Sequence, residues 1–159
     1  MKTLKRYHIE NASYFITCVT YKREPILIEN ADYLIECWKE FSPDAYVILP
    51  DHFHLIVKVS YSTISNVMHS VKTRFSRYIR DSVRSGRVWQ NRFWDHMIRN
   101  DEDMKRHIDY IHYNPVKHGI VKRPADYEFS TFELYVNLGQ YDKSWCEDLV
   151  FTNNELFGE

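Results

Sequence analysis

Residues 45–59 read AYVILPDHFHLIVKV, two short apolar runs separated by a proline-containing turn. The β-branched and aromatic side chains at 45–49 and 53–59, interrupted by Pro50, Asp51 and His52, predict a β-hairpin, because proline presets a turn and cannot donate to a ladder. Side chains alternate across a strand, so Phe53, Leu55, Val57 and Val59 share one face and His52 and His54 leave by the other. The apolar set then needs helices over it, and the chain on either side supplies them.

Upstream, residues 13–21 (SYFITCVTY) read as a first strand and 30–40 (NADYLIECWKE), opened by Asn30, as a helix. Downstream, Ile64, Val67, Met68, Val71, Phe75, Tyr78 and Ile79 recur at helical spacing and predict a long amphipathic helix over 63–84, with Arg77, Arg80 and Arg84 on its polar face. Gly86 ends it, the aromatic and basic stretch WQNRFWDHMIRN follows at 89–100, and a second helix is expected over 101–113, stopped by Pro115. This order predicts an α+β fold, a ferredoxin-like antiparallel sheet with helices packed on one face.

The 159 residues match one domain, taken as spanning 1–159 with an acidic extension from about 124. With 44% hydrophobic and 27% charged residues the composition is that of a folded globular chain. No apolar run approaches the ~18 residues of a spanning helix and MKTLKRYHIEN lacks a signal-like stretch, so no membrane partner and a cytoplasmic location are expected. Cys18, Cys37 and Cys146 are too few and too dispersed for a disulfide framework or a metal knuckle. The four glycines form no phosphate-cradling loop, so no nucleotide cofactor is expected. The net charge of −1 hides a division: residues 69–106 hold ten Lys/Arg against five Asp/Glu, the local field of a polyanion-binding face or of a solvated helix.

Two constellations bear chemistry. Imidazoles at i and i+2 on one strand face, as at His52 and His54, can share a divalent cation, although strand histidines also occur without ligands. On the 101–114 helix (DEDMKRHIDYIHYN), Met104, Ile108 and Ile111 form the expected core stripe. Tyr110 lies near 240° from Met104, on the flank of Asp103, His107 and Asn114, whereas Tyr113 lies near 180° and faces away. Tyr110 bordering the core and Asn114 capping the helix is the alternative reading of the same positions.

Taken together, LPDHFHLIV at 49–57, VWQNRFWDHMIRN at 88–100, DYIHYNPVKHGIV at 109–121 and FSTF at 129–132 resemble the REP-associated tyrosine transposases, a branch of the HUH-type single-tyrosine transposases, over about residues 4–145. The resemblance implies a metal-dependent enzyme that nicks and rejoins single-stranded DNA through a 5′-phosphotyrosine intermediate, at REP-type hairpins. His52 and His54 match the family's metal pair and Tyr110 its nucleophile. The third ligand falls at Asn114, one turn after the nucleophile, where the wider family has Gln, His or an acidic residue; His107 is the alternative third ligand. The cofactor implied is Mg²⁺ or Mn²⁺, two imidazoles favouring Mn²⁺.

The partner implied is single-stranded or hairpin DNA. Arg77, Arg80, Arg84, Arg92, Arg99 and Lys117 are the phosphate-binding candidates, and Trp89, Phe93 and Trp94 the stacking platforms, with the tryptophans read equally well as a buried loop. Lys2, Lys5 and Arg6 form a further basic cluster that could clamp a hairpin. Two other readings use the same residues: a non-catalytic single-stranded nucleic-acid-binding module, and a phosphodiesterase that uses water and dispenses with Tyr110. Monomer and homodimer stay equally open.

Overall fold

The computed structural model describes residues 9–146. Four antiparallel strands, β1 (Ala12–Val19), β2 (Ala45–Ile48), β3 (His52–Val59) and β4 (Trp94–Met97), form one sheet in the order β2-β3-β1-β4. Helices α1 (Ala31–Trp38) and α2 (Ile64–Ser82) complete the ferredoxin-like repeat, after which α3 (Asp101–Lys117) and the short α4 (Phe132–Asn137) follow. Among the described residues no helix is long and apolar enough to cross a membrane.

The strand register divides the side chains into two layers. Tyr14, Ile16 and Cys18 of β1 and Phe53, Leu55, Val57 and Val59 of β3 point to α1 and α2, where they meet Leu34, Trp38, Val67, Val71, Phe75 and Ile79. Thr63 caps α2, its hydroxyl accepting from Asn66 N at 3.2 Å. The expectation of helices on one face holds for these two. The other face is covered as well: Phe15, Val47 and Ile56 pack against Tyr110 and Ile111 of α3 and Tyr135 of α4. A sheet whose second face offers Phe15, Val47 and Ile56 cannot leave them in water without losing roughly 1.5–3 kcal/mol for each side chain.

Three local expectations change. Residues 94–97, read as part of a connection, form the edge strand β4 beside β1, with Phe15 opposite His96 and Thr17 opposite Trp94. His52 belongs to β3 rather than to the turn before it. And Pro115 does not stop α3, which runs on to Lys117, with His118 N donating to Asn114 O at 3.0 Å. A proline forfeits its own bond to the carbonyl four residues back and crowds that carbonyl, and burial of Pro115 against the fold offsets the cost. The extra turn fraction places Lys117 two turns after Tyr110, on the same flank.

The described part of the acidic extension is integrated into the second layer. Tyr127 Oη donates to Ile48 O at 2.6 Å, and Thr131 Oγ1 accepts from Tyr46 N at 3.1 Å. His112 of α3 is fully buried and lies 2.9 Å from Thr131 Oγ1, and burial pushes its pKa down to about 3, so it is neutral at physiological pH.

Candidate active site

The site lies between the second sheet face and α3, and the helix phase decides its contents. Asn100 caps α3, accepting from Asp103 N at 2.8 Å, and Asp101, Glu102 and Asp103 occupy the first turn where the helix dipole favours carboxylates. The face of α3 pressed onto the sheet is Asp103, His107, Tyr110, Ile111 and Asn114, all buried. The expected core stripe shifts accordingly: of Met104, Ile108 and Ile111 only the last is fully buried. The polar flank meets the sheet because the sheet itself presents imidazoles and aromatics there.

His54 stands opposite Thr17 in the β1–β3 ladder, and Thr17 Oγ1 is 2.8 Å from His54 Nδ1. His52 Nδ1 is 2.6 Å from Asp51 Oδ1. The hydrogen bond from His52 holds the Asp51 carboxyl down at about 2, so Asp51 is an anion that favours a proton on His52 Nδ1. Both imidazoles thus have Nδ1 engaged by a partner and are set to present Nε2, the arrangement that orients metal-ligating histidines. The two rings lie 5.2 Å apart at 81°. The donor set fits a divalent cation with open positions.

Tyr110 is buried with its ring 5.5 Å from that of His54. Lys117 Nζ donates to Tyr110 Oη at 2.8 Å and sits 5.0 Å above the ring. Asn114, one turn beyond Tyr110, is fully buried on the same helix face. His118, which sequence reasoning passed over, brings its ring within 5.1 Å of His52. Its sequence signal is its place in the 109–121 stretch, just past the helix that Pro115 was expected to end.

His107 is placed elsewhere. Among the described residues one group of three His, Cys, Asp or Glu side chains gathers its ligand atoms within 4.8 Å, and it is His96, Asp103 and His107. Phe15 packs against both His107 (4.8 Å) and His54 (5.3 Å). The structure therefore does not bring His107 into one ligand group with His52 and His54.

The DNA-contact candidates are scattered over both layers. Arg77 and Arg80 are exposed on α2, in the layer opposite Tyr110, and Arg80 lines a groove of about 460 Å³ with His69 and Lys72. Arg84 pairs with Glu24 at 2.5 Å. Trp89 is corrected as a stacking platform: it is buried, packs edge-on to Phe53 at 5.7 Å, and its indole donates to Lys72 O at 3.2 Å. Phe93 is half-buried against the first core. Trp94 is half-buried on the second face, with its ring parallel to His96 at 6.1 Å. Arg92 is exposed, and Arg99, also exposed, pairs with Asp103 at 3.2 Å. Lys2, Lys5 and Arg6 lie outside the described residues.

Residues 8–114 match the family described as "Transposase IS200 like". A REP-associated tyrosine transposase of Escherichia coli K12 is 33% identical, over 94% of this chain and 94% of its own. The chain belongs to the REP-associated tyrosine transposases. A relative from Haemophilus influenzae is 32% identical over 91% of this chain and 93% of its own. A solved structure of a REP-associated tyrosine transposase bound to a REP hairpin superposes with a TM-score of 0.86 at 32% identity, covering 100% of this chain and 98% of that one. As a member of this family the chain is a transposase enzyme on an α+β, antiparallel-sheet scaffold.

Proposed function

We propose that this transposase nicks and rejoins single-stranded DNA at hairpins of the REP type, through a covalent 5′-phosphotyrosine on Tyr110. The observation that supports it most is the meeting of two distant segments: the Tyr110 hydroxyl held by Lys117, with the Tyr110 ring 5.5 Å from His54, and the His52–His54 pair with its Nδ1 atoms engaged by Asp51 and Thr17. A divalent cation, Mg²⁺ or Mn²⁺, held by His52 and His54 with Asn114 as the third ligand would neutralise charge on the scissile phosphate. The hairpin as partner rests on the solved relative, whose structure holds one.

Tyr110 supplies the nucleophile. Its oxygen forms a bond to the 5′ phosphorus as the bond from phosphorus to the 3′ oxygen breaks; the phenol loses its proton and the departing 3′ oxygen gains one. One phosphoester replaces another, so a second 3′-hydroxyl can reverse the exchange and join strands without a nucleotide triphosphate. Lys117 favours the anionic phenolate by charge and by its hydrogen bond, and Phe15 and His54 wall Tyr110 from bulk water. His112 and Tyr135 pin α3 from behind, their rings 4.8 Å apart.

Two outcomes check this reading. With labelled single-stranded hairpin and Mn²⁺, a protein–DNA adduct survives denaturation, and binding weakens steeply between about 50 and 200 mM salt, as phosphate contacts release counterions. A preference for blunt duplex, or a salt-independent affinity, counts against it. Replacing Lys117 by Met removes the positive charge beside the phenol, so the adduct-forming rate should shift to higher pH, reaching its plateau later than in the wild type. Lys117→Arg should restore most of the profile. A uniform loss at every pH would show that Lys117 contacts DNA alone.

A further inference from the structure

Among the described residues, and outside the His52–His54 pair, one cluster of ligand-type side chains is built by the fold. Asp103 and His107 stand one turn apart on α3, and His96 projects from the edge strand β4 on the same sheet face, opposite Phe15. His96 Nε2 lies 2.8 Å from Asp103 Oδ2, and His107 Nδ1 lies 3.3 Å from Asp103 Oδ1. The two imidazole rings stack 4.6 Å apart at 14°. Asp103 is 3% exposed, and its Oδ1 makes no hydrogen bond among the described residues. A buried carboxylate oxygen left in that state is costly, and a cation is the ligand that repays it.

We propose that His96, Asp103 and His107 form a second divalent-cation site, separate from His52 and His54, that takes a transition ion of the zinc class. Two imidazoles and one carboxylate are the borderline-soft donor set of Zn²⁺ and Co²⁺ and suit Mg²⁺ or Ca²⁺ poorly. His107 Nδ1 donates to Asp103 O at 2.8 Å, which fixes the proton on Nδ1 and makes Nε2 the nitrogen with a lone pair; the ring must tilt out of its 14° stack on His96 to aim that lone pair at a shared ion. Burial lowers the pKa of His107, which keeps the ring neutral and able to ligate at physiological pH. The Arg99 guanidinium now neutralises Asp103, but its side chain is 64% exposed and can move into solvent to admit an ion. A bound ion would tie the edge strand β4 to the first two turns of α3, the segment that also positions Tyr110.

The test uses the full chain carrying His52→Gln and His54→Gln, so that its outcome does not depend on whether that pair holds metal or whether the nicking reading is right. Titrated with Co²⁺, this variant should bind one ion per chain with visible d–d absorption, displaced by Zn²⁺ and not by Mg²⁺. Zn²⁺ should raise its melting temperature. Adding His107→Gln should weaken binding on the order of 100-fold and remove the thermal shift. His96→Gln, on the edge strand, provides a second variant that leaves α3 intact, and circular dichroism establishes that each is folded. No Co²⁺ bound to the double variant overturns the proposal, as does an ion retained after both His96 and His107 are replaced.

Discussion

Tyr110→Phe is expected to eliminate the covalent DNA adduct, with a loss of nicking on the order of 10⁴-fold or more, as for removal of other enzymatic nucleophiles. The change deletes one hydroxyl from a side chain packed against Phe15 and His54, and the ring stays in place. It also frees the half-buried Lys117 ammonium from its 2.8 Å contact, so stability should fall by no more than about 1 kcal/mol. Hairpin affinity should be almost unchanged. Tyr113→Phe should retain most activity, because Tyr113 is half-buried outside the face of α3 that meets the sheet. Gel analysis of both variants decides the matter; an adduct that persists in Tyr110→Phe and vanishes in Tyr113→Phe would place the nucleophile on the wrong flank.

His52→Gln and His54→Gln should each reduce metal-stimulated nicking on the order of 10³-fold, since each removes a nitrogen ligand of the cation expected to neutralise the phosphate. The two should differ in stability. His54 is fully buried, hydrogen-bonded to Thr17 and stacked on Phe15, so His54→Ala leaves a cavity in the second layer and should lower the melting temperature by several degrees. His52 is tied to Asp51, beside the turn, and its replacement should be milder. Melting curves collected beside single-turnover nicking assays separate the two effects. Nicking at wild-type rates in either variant would remove the pair from the site.

Much of this was legible in the residues. The alternation in 45–59 sorted Phe53, Leu55 and Val57 from His52 and His54, and the pleat places them in opposite layers as that pattern requires. The spacing of α2 was equally readable. What periodicity could not show was a second buried layer, because α3 buries Asp103, His107 and Asn114, residues that any hydrophobicity rule assigns to solvent. Their burial is repaid by cross-element contacts, such as Phe15 with His107, which join segments that sequence order leaves apart. The run-on of α3 through Pro115 was hidden for a related reason: the local penalty is visible in the chain, and the packing that offsets it is not. Trp89 shows the converse, an aromatic in a basic stretch that serves the core.

The most direct test of the central claim is peptide mapping by mass spectrometry of wild-type protein trapped on a hairpin substrate with Mn²⁺. The expected result is one nucleotide-modified peptide, covering the 107–117 region, with fragmentation placing a 5′-phosphoryl group on Tyr110 and the released strand ending in a free 3′-hydroxyl. Cleavage that yields no modified peptide, or a modification on Tyr113 or any other side chain, would contradict it.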